Sequence, residues 1–165
     1  MVKKDYFGLF DEDSKMYLKK SFNLGGIELF DYAPHKCDID GLISAACIFV
    51  PDFIQINDYI FVKNFILDYT ITDEFIADLE ERFNYDKKNI ERYVNSWSLG
   101  DFFINSKQNY MNDEIIIKKF GECLVYFWKS RLEKVFPMKK FSVEICENLY
   151  GEYGTCITMY EKRDE

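Results

Sequence analysis

The sequence is poor in the residues from which most catalytic and metal sites are built. It contains one histidine, His35, and its five cysteines are scattered without a CxxC pair. A structural zinc site needs about four ligands, usually in closely spaced pairs, and the sequence offers no second pair. The odd number and wide spacing of the cysteines argue against a disulfide framework and favour a reducing compartment. We therefore expect a cytoplasmic protein without a metal or other cofactor.

Long apolar runs and nucleotide-binding motifs are also missing. No stretch reaches the roughly 18 uncharged residues of a spanning helix, so no membrane association is expected. The N-terminal "MVKKDYFGLFDEDSK" differs from a secretory signal because charges interrupt it at once. Neither GxxxxGK[ST], GxGxxG nor GxSxG occurs. These absences predict a protein that is not an enzyme.

Positive charge is scarce and unevenly placed. The formal net charge of −8 argues against nucleic acid binding through a broad basic face and against adhesion to anionic membranes. Between Asp38 and Glu81 there are ten acidic residues and a single base, Lys63. The next stretch, 82–140, is net basic. The charge is therefore polarised along the chain.

The composition predicts a well-packed globular protein. Apolar residues make up 48% of the 165 residues and aromatic residues 18%, so a sizeable core is expected. Helical and alternating patterns are mixed along the chain without an internal repeat. We therefore predict one α+β domain over 1–165, with several antiparallel hairpins packed against three to four helices.

The first half of the chain is predicted to contain two hairpins around one helix. The stretch 15–34 is typical of two strands joined at Gly25-Gly26 and closed by Pro34. Residues 38–53 favour a helix that is capped by Asp40, ended by Pro51 and buried on most sides. The runs "FIQI" and "YIFV" around Asn57-Asp58 predict a core hairpin. In it Ile54 and Ile56 share one face, with Ile60 and Val62 as their counterparts.

The second half is predicted to contain three helices and a final hairpin. An amphipathic helix over 71–83 has Thr72 as its cap, and a second over 86–97 is closed by Gly100. The strongest pattern is a long helix over 113–136 with Asn112 as its cap and with Gly121 packed closely against a neighbour. Alternating apolar residues in 141–145 and 155–159 indicate the last hairpin.

The segment "PHKCDID" is the one place where possible metal ligands cluster. Its candidates are His35, Cys37, Asp38 and Asp40. A small enzyme or metal-binding protein with a site here is one interpretation, and a turn leading into a capped helix is the plainer one. "DIDG" lacks the further ligands of an EF-hand, and Pro51-Asp52 lacks the later acid-x-Lys of a metal-dependent nuclease.

The acidic segment around the helix of residues 71–83 is the other candidate site. A solvated helix face would explain it, and so would a docking surface for a basic partner, because clustered carboxylates steer and select a positive face. A nearby tyrosine could add the desolvated anchor that charge alone does not provide. The candidate partner-binding residues are Asp68, Tyr69, Asp73, Glu74, Asp78 and Glu81.

Two adjacent stretches resemble a known class of proteins. "IFVPDFIQINDYIFVKNF", followed by "NIERYVNSWSLGDFF", is similar to the small acidic immunity proteins of bacterial polymorphic-toxin and contact-dependent growth inhibition systems. The similarity covers about the middle half of the chain and lies in the order of elements. It implies a cytoplasmic protein without catalytic residues that binds one cognate toxin domain and covers its active site or substrate channel. It carries over no individual site residue.

Three functional hypotheses follow. The first is an immunity or inhibitor protein that blocks a toxin domain, and for a basic nuclease toxin the carboxylates would stand in for nucleic acid phosphates. The second is the enzyme or metal protein with a site near His35–Asp40. The third is a structural protein that associates through its aromatic surface; the sequence does not define an oligomeric state.

Overall fold

The computed structural model describes residues 8–66, 72–105 and 109–163 and has an α+β fold. The chain divides into two compact units, 1–46 and 47–165. The α-helices of the described residues are α1 (Glu12–Ser21), α2 (Leu29–Lys36), α3 (Ile39–Phe49), α4 (Asp73–Arg82), α5 (Lys87–Val94) and α6 (Glu114–Val135). The strands are β1 (Phe53–Ile56), β2 (Tyr59–Val62), β3 (Trp97–Ser98), β4 (Phe141–Glu147) and β5 (Thr155–Glu161).

The hairpin predicted for residues 15–34 is wrong, because two helices occupy this region. The Asp11 carboxylate accepts a hydrogen bond from Ser14 N at 2.8 Å and caps α1, and acids in the first turn with lysines in the last suit the helix dipole. The positive φ expected of Gly25 and Gly26 is present, at 59° and 99°. It serves a turn between helices, and Pro34 lies inside α2 rather than closing a strand.

Helix α3 is present, but the expectation that it is buried on most sides is wrong. None of its residues is buried, and Ile39 and Ile43 are 77% and 65% exposed. Asp40 lies within the first turn rather than before it. At the C-terminal end the Phe49 ring packs against Phe120 and Phe127. An apolar composition does not by itself dictate burial, because more than half of a folded protein's accessible surface is apolar.

The β1–β2 hairpin is confirmed, with a different cross-strand pairing. Asn57 adopts a φ of 52°, and the two-residue turn pairs Ile56 with Tyr59 and Ile54 with Phe61. Ile60 and Val62 are therefore on the opposite face from Ile54 and Ile56, because opposed residues of an antiparallel pair share a face. All four residues of β2 are buried, since each face of this strand packs into a separate apolar cluster.

The long helix α6 and the close approach at Gly121 are confirmed. The helix runs over Glu114–Val135, and Asp113, rather than the expected Asn112, caps it by accepting hydrogen bonds from Ile115 N and Ile116 N. A Cβ placed on Gly121 would lie 2.7 Å from Ile145 Cδ1 and 2.8 Å from Leu99 Cδ1. Only a residue without a side chain fits here without displacing its neighbours.

Helix α5 is shorter than predicted. It ends at Val94, with Asn95 as its C-cap, so Trp97 belongs to strand β3 rather than to the helix. Gly100 does not close α5 and instead precedes a short 3₁₀ turn over Asp101–Phe103. The Trp97 ring stacks on Phe65 at a centroid distance of 4.8 Å, and this packing favours the strand over another helical turn.

The final hairpin is confirmed, and its strands β4 and β5 belong to a three-stranded sheet with the order β3-β5-β4, in which β5 is central. Val143 pairs with Met159 and Ile145 with Ile157, so the alternating residues predicted for the two arms share one face. Val143, Ile157 and Met159 pack in the apolar cluster that contains Leu124 of α6. On the other face, Arg92 of α5 contacts Glu144, so α5 and α6 lie on opposite faces of the sheet. No helix in the described ranges is long and apolar enough to cross a membrane.

Candidate functional site

Helix α4 presents an acidic face to solvent. Thr72 Oγ1 accepts a hydrogen bond from Phe75 N at 3.1 Å and caps the helix, as predicted. Ile76 and Leu79 are each 4% exposed and hold the inner face. The carboxylates of Asp73, Glu74, Asp78 and Glu81 are all on exposed residues, and none forms an ion pair with another described residue.

The four carboxylates do not have the same local explanation. Asp73 and Glu74 lie in the first turn, where a negative charge interacts favourably with the helix dipole and stabilises the helix. Glu74, Asp78 and Glu81 follow the i, i+4, i+7 spacing of one helical stripe, along which like charges repel each other. Asp78 and Glu81 lie beyond the first turn and form no ion pair with a described residue, and their exposure leaves them available to a partner.

Glu80 is different from its acidic neighbours because it faces inward. Its Oε1 accepts a hydrogen bond from the Tyr59 hydroxyl at 2.8 Å. Burial of the phenol and this bond to Glu80 raise the pKa of Tyr59. Glu80 thus anchors α4 to strand β2. The acidic face consists of the exposed acids of the helix, Asp73, Glu74, Asp78 and Glu81.

The structure brings four of the six predicted partner-binding residues together on one helix. The other two, Asp68 and Tyr69, lie outside the described residues. An aromatic side chain is nevertheless present just beyond the helix. Tyr85 is 71% exposed and has a left-handed φ of 60°, a conformation that is uncommon for a bulky residue. It follows Asn84, which is also left-handed, in the turn after the C-terminal end of α4.

The possible metal ligands around His35 are not assembled into a site. His35 lies in the last turn of α2, Cys37 follows that helix, Asp38 directly precedes α3, and Asp40 lies in the first turn of α3. All four are exposed. Within the described part of the chain no group of three or more histidine, cysteine or acidic side chains is placed to hold a metal ion.

The structure reveals a buried carboxylate on α5 that sequence reasoning missed. Glu91 is fully buried and accepts hydrogen bonds from Ile60 N at 2.9 Å and Glu161 N at 2.7 Å. The Arg163 guanidinium donates to both Glu91 oxygens, at 2.9 and 3.2 Å. Burial of a carboxylate is tolerated when charge and hydrogen bonds are both supplied, and here both oxygens are satisfied.

Asn95, one turn further along α5, completes the same arrangement. Its Oδ1 accepts from Val62 N at 2.8 Å, and its Nδ2 donates to Ile60 O and Met159 O at 2.9 and 3.1 Å. These backbone groups belong to the edges of β2 and β5. Glu91 and Asn95 therefore make the hydrogen bonds to β2 and β5 that a strand between the two sheets would otherwise make. We interpret this network as structural.

The thiols give a direct test of the burial pattern. Cys37 and Cys47 are exposed, whereas burial raises the pKa of the Cys123 thiol to about 11. At pH 8 a thiol of that pKa is only about 0.1% ionised. Because the thiolate is the nucleophile, iodoacetamide should modify Cys37 and Cys47 well before Cys123. Peptide mapping by mass spectrometry measures this order, and equal rates for Cys37 and Cys123 in the folded protein would contradict it.

No protein-family model, curated protein or solved structure matches the chain.

Proposed function

We propose that the protein is a cytoplasmic immunity-type inhibitor, which binds a basic toxin domain through the acidic face of α4 and blocks that domain sterically. The observation that supports this best is the set of exposed carboxylates at Asp73, Glu74, Asp78 and Glu81 without ion-pair partners among the described residues. The resemblance of residues 48–65 and 89–103 to bacterial immunity proteins points the same way. In this proposal the protein has no catalytic role.

The acidic face has the features of an electrostatic docking surface. Carboxylates with a common orientation raise the rate of association with a positive face and reject negative ones. The helix is held rigidly by Ile76, Leu79 and the Glu80–Tyr59 hydrogen bond, so little ordering is needed on binding. Exposed Tyr85 supplies an aromatic group of the kind that contributes most to interface energy.

The test takes the product of the neighbouring gene, which the proposal expects to carry a toxin domain, and measures its binding by calorimetry. We expect Asp78→Lys/Glu81→Lys to weaken binding at least tenfold and to reduce its dependence on salt, because the attraction between exposed charges is screened. Reversal of all four carboxylates should abolish protection of cells that express the toxin. The double variant is preferred for affinities because lysine at positions 73 and 74 would oppose the helix dipole.

A matched control is available on other surfaces. Asp52→Lys/Glu133→Lys makes the same change in net charge at two exposed acids outside α4, and it should alter affinity less than threefold. Equal losses in the two variants would indicate a general charge effect and reject α4 as the docking face. A neighbouring gene product that neither binds the protein nor is inhibited by it would reject the proposed function itself.

A further inference from the structure

The backbone hydrogen bonds of the three-stranded sheet show which groups of β4 point outward. Leu99 N donates to Thr155 O at 2.9 Å, so the backbone groups of Thr155 point toward β3. Successive residues of a strand direct their backbone groups to opposite sides, so Ile157, Met159 and Glu161 also point to the β3 side of β5. The bonds from Asn95 to Met159 O and from Glu161 N to Glu91 agree. Cys156, Thr158 and Tyr160, which alternate with these residues, therefore direct their backbone groups to β4. By the register, the outward groups of β4 are those of Phe141, Val143, Ile145 and Glu147.

This outer edge of β4 is unpaired in the parts of the chain that are described. Strand β4 is the last strand in the order β3-β5-β4, and no hydrogen bond from another described residue reaches the outward backbone groups. Val143 is only 3% exposed, so the middle of the edge is covered. Ile145 is half-buried and Glu147 is exposed, so the accessible part is the C-terminal end. A strand edge with unpaired N–H and C=O groups is a template for pairing with another strand.

The accessible end of β4 opens into a cleft of about 1130 Å³. One wall is formed by Ile145, Cys146 and Glu147, and another by the first turns of α6. The 3₁₀ turn at Asp101 and the loop over 148–154 complete it. Its volume is slightly above the range of about 300 to 1,000 Å³ that is usual for small-molecule sites, which suits several residues of an extended chain.

The cleft is strongly acidic. Its lining carries four carboxylates against one lysine, Lys118; the acids are Asp101, Glu114, Glu147 and Glu152. None of these acids forms an ion pair with a described residue. The Glu147 carboxylate accepts a hydrogen bond from the Thr155 hydroxyl. Tyr153 is 90% exposed beside them. The charge selects a cationic occupant.

We propose that this cleft docks an extended, lysine- or arginine-bearing segment of a partner protein, which adds as a strand to the edge of β4 at Ile145 and Glu147. Main-chain hydrogen bonds would provide affinity and the carboxylates would provide the preference for basic side chains. A second copy is a poorer occupant, because pairing two such edges would bring two acidic clefts of a chain with a net charge of −8 together. The inference does not rest on the proposed function, since α4 contributes no residue to the cleft.

The experiment uses the full chain and an eight-residue fluorescent peptide that alternates lysine and valine. We expect saturable binding by fluorescence anisotropy and shifts of the Ile145 and Glu147 backbone amide signals in NMR. A peptide with the lysines replaced by glutamate should not bind. Methylation of alternate backbone nitrogens of the lysine peptide, on the face that would pair, should weaken binding at least tenfold. Unchanged binding after methylation would overturn strand addition and leave only charge attraction.

Protein variants separate the two surfaces. Asp101→Lys/Glu147→Lys should weaken binding of the lysine peptide at least tenfold, whereas Asp78→Lys/Glu81→Lys on α4 should change it less than twofold. Loss in the α4 variant but not in the cleft variant would overturn the cleft proposal. Absence of any binding by the lysine peptide would overturn it as well, and so would a dimer that the cleft variant abolishes. Each of these results leaves the proposed toxin-binding role of α4 to its own test.

Discussion

Replacing Glu91 by leucine is expected to lower the free energy of unfolding by about 3 to 5 kcal/mol, the range found when one partner of a buried ion pair is removed. Leucine leaves Ile60 N and Glu161 N without acceptors. It also removes both carboxylate oxygens from the Arg163 guanidinium. A domain of ordinary stability, about 5 to 15 kcal/mol, would lose a large part of it. Urea denaturation followed by circular dichroism measures the change.

A graded series separates the parts of this loss. Glu91→Gln keeps one acceptor oxygen but places an amide donor near other donors, so an intermediate loss of about 1 to 3 kcal/mol is expected. In the Glu91→Leu background, Arg163→Met should recover at least 1 kcal/mol or so, because it removes the stranded charge. The Arg163 side chain is 28% exposed, so water already hydrates part of the guanidinium in the Glu91→Leu variant. Full recovery of the free energy of unfolding is therefore not expected.

The control is the same substitution on an exposed helix position. Glu81→Leu removes a carboxylate that contacts no described base, and surface changes of this kind usually stay within about 0.5 kcal/mol. If Glu91→Leu also cost less than about 1 kcal/mol, the bridge between β2 and β5 would not stabilise the fold as described. The position of Glu91 would then need another explanation.

The role of Glu91 could not be predicted from periodicity. In α5 the buried Ile90 and half-buried Val94 form the apolar stripe that the sequence indicated. Glu91 and Asn95 each follow one of these residues and border the same stripe, and a polar residue there is ordinarily solvated. Their burial depends on two strand edges, in β2 and β5, that are distant in sequence. The shared spacing of four residues was the only available signal.

Other parts of the fold were predictable where a local pattern dominates. The stripe of α4 with its Thr72 cap and the alternation in β4 and β5 needed no distant partner to be recognised. In α1, however, the Asp11 cap and the distribution of charge favour a helix. The hairpin prediction is wrong because the positive φ of Gly25 and Gly26 is equally suited to a turn between helices. The acidic face of α4 is contiguous in sequence and could be proposed from it. The cleft beside β4 could not, because its lining comes from segments between residues 98 and 155.

Gly121→Ala is expected to destabilise the protein by about 1 to 3 kcal/mol, the usual cost of overpacking a core, although alanine is the better helix former by up to about 1 kcal/mol. The new Cβ would lie under 3 Å from Ile145 Cδ1 and Leu99 Cδ1, and Leu99 is fully buried. Gly41→Ala on α3 is the matched control. There the added Cβ meets only Cys37 Cβ, at 3.7 Å, so helix propensity should dominate and stability should rise slightly.

Ile145→Val tests whether the close contact is the cause of that loss. It removes Cδ1, the atom closest to the new Cβ, so Gly121→Ala should be less damaging in the Ile145→Val background than in the original protein. A coupling of at least 0.5 kcal/mol or so in this double-mutant cycle is expected for residues in direct contact, and thermal unfolding can resolve it. Additive effects, or a Gly121→Ala variant as stable as Gly41→Ala, would show that α6 does not approach the sheet as closely as the geometry indicates. Since Ile145 also belongs to the proposed docking edge of β4, the same cycle reports whether that edge is held in place by α6.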